Sequence, residues 1–225
     1  MRSKLFILVF FLISTLFGQA NFVAKNFGNA TISDEVRSVF AADIDNDGDM
    51  DIVSANRSDN AIYLHKNCGS SNSCWNSVEI ASIQDRVTTL FVADMDNDGD
   101  MDIVAGAKSS DTDAIGSDDR LIWYENISPK STNLPWTATV IPYSGNGVWD
   151  IFVEDMDNDG DMDIVIANSN NHTIDWFEND GDPNPSWNEI NIVTNTDGSN
   201  GVTSVFAADM DNDGDMDIVS GAKYG

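Results

Sequence analysis

Aspartate stands at every second position in four nine-residue stretches of the chain. The first holds Asp43, Asp45, Asp47, Asp49 and Asp51; the second holds Asp94, Asp96, Asp98, Asp100 and Asp102. The third holds Asp155, Asp157, Asp159, Asp161 and Asp163; the fourth holds Asp209, Asp211, Asp213, Asp215 and Asp217. Each reads D-x-D-N-D-G-D-M-D, with Asp at positions 1, 3 and 5 and Gly at position 6. That pattern is the chemistry of a loop that wraps a hard cation in oxygen ligands, Ca²⁺ before Mg²⁺. Position 7 is expected to contribute its backbone carbonyl and turn its side chain to solvent, and the Asp at position 9 to complete the cage. An EF-hand is excluded, because position 12 is Ser54, Ala105, Ile166 or Ser220 where that motif needs Glu. Plain solvated turns are a poor alternative, since five carboxylates in nine residues repel one another without a counter-charge.

Four such loops explain most of the charge. They hold 20 of the 38 acidic residues in a 225-residue chain of net charge −27. So acidic a chain has no basic face for nucleic acid and disfavours anionic membranes. With 41% hydrophobic residues it has the composition of a folded protein.

The elements around the loops repeat as well. The loops start 51, 61 and 54 residues apart, a period that signals stacked supersecondary units. Each follows an apolar run (Ser38–Ala42, Leu90–Ala93, Ile151–Val153, Val205–Ala208) and leads into Met-Asp-Ile-Val. Next comes an aromatic run ending at Asn67, Asn126 or Asn179, then a segment led by Trp75, Trp136 or Trp187. Four short β-type runs per unit, covered on both faces, predict an all-β propeller of four-stranded blades. The expected units are 34–84, 85–145, 146–199 and 200–225, about three and a half blades within a partial propeller domain spanning 21–225. Residues 22–27 resemble a last strand without its own blade and are expected to close a ring. The second unit carries an insertion in Lys108–Arg120.

Residues 1–20 read as a secretory signal: basic Arg2 and Lys4, apolar Leu5–Phe17, then small Gly18 and Ala20 before the cut. A secreted or cell-surface location follows as an expectation, with no membrane span once the signal is removed. The only cysteines, Cys68 and Cys74, are then expected to pair, closing a short loop for ~2 kcal/mol of stabilisation. Sequons begin at Asn29, Asn56, Asn126 and Asn171. Of the two histidines, His65 aligns with Tyr124 and Phe177 and is expected to pack, whereas His172 is expected in a solvated loop. Trp149 has no aromatic counterpart; Arg37, Thr88 and Thr203 occupy its aligned places.

On the Asp loops and their flanks the chain resembles the FG-GAP/VCBS repeat family, the calcium-binding propellers that include integrin α-subunit heads. The resemblance covers 34–223. Gly106-Ala107-Lys108 and Gly221-Ala222-Lys223 stand where that family often has Gly-Ala-Pro, and Phe40-Ala41 replaces Phe-Gly. These departures favour the bacterial-type VCBS variety. The resemblance implies a commonly seven-bladed propeller, of which this chain is a truncated part, with structural Ca²⁺ in up to four sites. The leading expectation is a non-catalytic recognition or adhesion module for an extracellular protein or glycan. The rival is the propeller portion of a carbohydrate-active enzyme, a polysaccharide lyase or hydrolase.

Overall fold

A computed structural model describes residues 35–69, 75–83, 86–108, 119–127, 136–194 and 201–223. The expected signal, the strand at 22–27, Cys74 and most of the 108–120 insertion lie outside these residues. The described chain is all-β. The first unit gives β1 (Val36–Ala42), β2 (Asp51–Asn56), β3 (Ala61–Asn67) and β4 (Trp75–Ser82). The second gives β5 (Arg86–Ala93), β6 (Asp102–Lys108), β7 (Arg120–Asn126) and β8 (Trp136–Ile141). The third gives β9 (Val148–Glu154), β10 (Asp163–Asn168), β11 (Thr173–Asn179) and β12 (Trp187–Thr194), and the fourth β13 (Val202–Ala208) and β14 (Asp217–Ala222). Strands pair in chain order as antiparallel meanders, three sheets of four strands and one of two. These are propeller blades, as the run-by-run pattern predicts.

Why the second strands carry no polar face is visible in the packing. β6 and β10 alternate as strands must, but both faces meet another blade. Ile103 and Ala105 join a core with Val53 and Leu64 of the first blade. Val104, between them, joins Val148 and Ile164 of the third. Val165 and Ala167 pack with Val202 and Val205 of the fourth. Each core is thus a dry seam between blades, and no blade owns one alone.

The first strands β1, β5, β9 and β13 pack side by side. Down this row runs a file of phenyl rings, with centroids 4.8 Å apart for Phe40–Phe91, 5.5 Å for Phe91–Phe152 and 4.7 Å for Phe152–Phe206. These are favourable tilted and edge contacts. The Asp loops join first to second strands, so all four lie at one end of the stack. The starts of the first strands and the ends of the second lie at the other.

Candidate metal centres

Each Asp loop is shaped by two residues of positive φ. Asn46, Asn97, Asn158 and Asn212, at position 4, have φ of 55° to 63°, and Gly48, Gly99, Gly160 and Gly214, at position 6, have φ of 92° to 102°. Asn tolerates the left-handed region and Gly fits beyond it. The turn aims backbone N–H groups inward. In the first loop the N–H groups of Asp47 and Gly48 donate to the two oxygens of Asp43, at 3.1 and 2.8 Å. The second loop repeats this at 3.1 and 2.9 Å onto Asp94.

The Asp at position 9 does something the spacing does not announce. Asp51, Asp102 and Asp163 are buried at the start of the second strands. Asp102 accepts from Met95 N at 3.2 Å, Asn126 N at 2.8 Å and Trp123 Nε1 at 3.1 Å. Asp51 braces Ile44 N and Asn67 N, and Asp163 braces Met156 N and Asn179 N. One carboxylate therefore ties the loop to the end of the third strand. Burial pushes these carboxyls up to about 6 for Asp51, about 7 for Asp102 and about 6 for Asp163, against the pull of those N–H groups.

Carboxylate oxygens converge in all four loops. Asp43, Asp45 and Asp51 form one group; Asp94, Asp96 and Asp98 the second; Asp155, Asp157 and Asp159 the third; Asp209, Asp211 and Asp217 the fourth. Within each group the oxygens lie within 4.8 Å of one another. Positions 1 and 3 contribute every time, with position 5 or 9 as the third member. The residues fit a hard divalent cation. The donors are all oxygen, and burial followed by the neighbouring Asp98 raises Asp96, as burial and then Asp159 raise Asp157. Among the described residues Asp45 Oδ1 is buried with no hydrogen-bond donor. Its other oxygen takes the Lys66 ammonium at 2.6 Å. Lys66 aligns with Glu125 and Glu178, so the first loop alone brings in this protein cation.

At position 7, Asp215 is exposed, whereas Asp100 and Asp161 are half-buried and reach the preceding loop. Asp100 accepts from Asn46 Nδ2 and Asp161 from Asn97 Nδ2, both at 2.6 Å. The position-4 Asn of one loop thus clamps the position-7 Asp of the next. At the last junction Asn158 Nδ2 reaches the Gly214 carbonyl instead, at 3.0 Å. The residues that end the aromatic runs do related work. Asn126 Nδ2 donates to Ile44 O of the preceding blade at 3.1 Å, and Asn179 Nδ2 to Met95 O at 2.9 Å. The repeated run-final Asn was the available signal for this staple, but its partner lies more than eighty residues away.

Two histidine expectations are also refined. His65 is buried as expected but is not merely packed: Nε2 lies 3.0 Å from Ser54 Oγ and Nδ1 2.8 Å from Ser77 Oγ. The Ser–His–Ser chain is sealed from solvent at Ser54 and His65. His172 is half-buried with φ of 59° and its Nδ1 unpartnered, so it is not a freely solvated side chain. Trp123 is buried, and Trp136 and Trp187 pack against the seams. Trp149 is 40% exposed. Cys68 is in a disulfide bond. Of the sequon asparagines within the described residues, Asn56 and Asn126 are buried and Asn171 is exposed.

No curated protein matches the chain. The model of the FG-GAP-like repeat matches residues 43–105 and 155–220, each stretch beginning at an Asp loop and running into the strands behind it. With more than half of the sequence so matched, the chain belongs to the FG-GAP-like repeat family.

Proposed function

We propose that the chain is an extracellular recognition or adhesion module that performs no chemistry and whose blades are stabilised by Ca²⁺. The observation that carries the proposal is the convergence of three aspartates within 4.8 Å in each of four loops. Positions 1, 3, 5 and 9 would supply carboxylates and position 7 its carbonyl. When bound, the ion supplies the positive charge that crowded and buried carboxylates lack. The chain's own part is to pre-shape each loop through Asn and Gly and, in the first three loops, to anchor it through the buried position-9 Asp. Secretion is supported by the signal-like residues 1–20 and by a disulfide at Cys68, which suits an oxidising compartment. A binding role is favoured over catalysis because the Ser54–His65 contact between β2 and β3 is buried away from solvent.

The direct experiment is thermal unfolding in millimolar Ca²⁺ and in chelator. An ion that binds only the folded chain stabilises it by mass action, so the transition should rise by about 5 °C or more with Ca²⁺. Coincident transitions would overturn the calcium assignment. Release of reducing or unsaturated ends from uronate polysaccharides would overturn the non-catalytic assignment.

A further inference from the structure

The end of the molecule opposite the Asp loops holds a cavity of about 430 Å³, within the range of roughly 300–1,000 Å³ usual for small-ligand sites. Arg37, Arg57, Arg86, Lys108, Asp150 and Trp149 provide its charged and aromatic lining. A chain with only 11 Lys and Arg places four of them here.

Each first strand carries a one-residue bulge at this end. Arg37 falls between the pairs Val36–Asn56 and Ser38–Ala55. Thr88 falls between Val87–Ala107 and Thr89–Gly106. Trp149 falls between Val148–Asn168 and Asp150–Ala167, and Thr203 between Val202–Ala222 and Ser204–Gly221. All four bulged residues line the cavity. A bulge re-aims its extra side chain out of the strict in–out alternation. Here the backbone device recurs in every unit while the residue it presents changes. Repeated geometry with varied chemistry marks a position where packing does not dictate the side chain.

Among the described residues the lining stays net positive, with four basic side chains against Glu35, Asp150 and, near Lys108, Asp119. Glu35 takes Arg37 at 2.5 Å and Arg57 at 2.9 Å, so one carboxylate serves two guanidiniums. Asp150 accepts from the N–H groups of Ile151 and Val205, at 3.1 and 3.0 Å. Arg86 is exposed and makes no ion pair among the described residues. Lys108 Nζ lies 5.0 Å from the Trp149 ring centroid and donates to Asn170 Oδ1 at 2.8 Å. Burial lowers the Lys108 pKa; Asp119 opposes this and the Arg57 charge adds to it. The Asp loops do not cancel this patch. A strand of six or seven residues holds the two ends roughly 20 Å apart, beyond the ~8 Å screening length of physiological salt.

We propose that this cavity binds an anionic saccharide, with Arg86 and its basic neighbours holding a carboxylate or sulfate and Trp149 meeting the face of the sugar ring. Guanidinium forks match planar oxyanions bidentately. A half-exposed indole beside them offers a flat apolar surface with little entropy to lose. A charged sugar uses both features, whereas an acidic peptide uses only the charge. The proposal deepens the recognition assignment above and rests on its premise of binding without chemistry; it does not rest on calcium.

The test is calorimetric titration of the full chain in Ca²⁺ with four probes. A hyaluronan tetrasaccharide carries carboxylates alone, a chondroitin sulfate tetrasaccharide adds sulfate, maltotetraose is neutral and tetraglutamate is an acidic peptide. Binding of either charged sugar, with none for maltotetraose, is the expected result. Arg86→Glu and Trp149→Ala should each weaken it by about tenfold or more. Both sites are exposed, and unchanged melting of each variant separates lost binding from lost fold. The carboxylate and sulfate arms tell which anion is preferred. The proposal is overturned if neither charged sugar binds, if both variants bind normally, or if tetraglutamate binds as tightly. Cleavage of a bound tetrasaccharide would instead sink the non-catalytic premise.

Discussion

Asp102 shows how much one side chain carries. It accepts three hydrogen bonds, two from β7 (Trp123 and Asn126) and one from its own loop (Met95), with no solvent to replace it. Asp102→Asn keeps the shape but turns an N–H₂ toward donors. We expect a loss of about 2–4 kcal/mol in urea unfolding even in chelator, whereas exposed Asp98→Asn should change stability by less than about 0.5 kcal/mol there. A similar loss in both would refute the brace. His65 sets a pH response. Burial holds its pKa below the ordinary histidine value, so the folded chain binds fewer protons than the unfolded chain. Its contribution is fully present above about 6.5 and is lost as pH falls through the lowered folded value. Denaturant unfolding between about pH 7 and pH 5 should fall less steeply in His65→Gln than in the parent; parallel slopes would dismiss this role. Aspartate spacing made the cation chemistry legible at this scale. The division of labour among those aspartates was not, because it depends on strand ends brought in from sixteen or more residues away, as Asn67 is to Asp51.

At the scale of elements, loop and strand answer to different constraints. An ideal Cβ on Gly99 would meet nothing within 4 Å, yet φ is +92°. Gly99→Ala should therefore cost about 1–2 kcal/mol through backbone strain alone, with no clash to relieve. If a Gly99→Asn change, tolerant of positive φ, is no milder in melting experiments, that account fails. The staple of Asn126 predicts a different signature. Asn126→Ala leaves the carbonyls of Ile44 and Met101 without their side-chain donor, at a cost of about 1–3 kcal/mol. Hydrogen exchange should report the loosening in both flanking blades; a change confined to β7 would refute the cross-blade role. The strands themselves were plain in the sequence, since apolar runs between Gly, Asn and Asp recur four times with the same internal order. The bulges were hidden in plain alignment. Arg37, Thr88, Trp149 and Thr203 line up by position, but a one-residue excess shows only when the partner strand is counted against it.

For the whole molecule, stability resides in the seams. Each core draws residues from two blades, so losing one blade exposes the next. Legibility drops at this scale for a physical reason: the seam partners lie a full repeat or more apart, and nothing local marks which face of a strand meets which neighbour. Among the described residues no further sheet follows the fourth, and its outer positions are open. Phe206 and Val219 are each about half exposed, whereas Ile164 and Val165 of the third blade are fully covered.

The file of Phe40, Phe91, Phe152 and Phe206 has one more consequence. The first two seams join the same plug to the same socket: ring to ring, run-final Asn to loop carbonyl, loop Asn to the following loop's Asp; the third keeps the ring contact and a loop Asn contact to Gly214. The two seams between complete blades therefore use the same couplings, and the second unit has the form of a cassette. A chain in which residues 85–145 occur twice in tandem should fold with Ca²⁺, gain one further seam and melt no lower than the parent. Aggregation of that chain, or a separate low-temperature transition, would show that the couplings are keyed to their neighbours. If it folds, gene duplication can lengthen such a molecule one blade at a time without inventing a new contact.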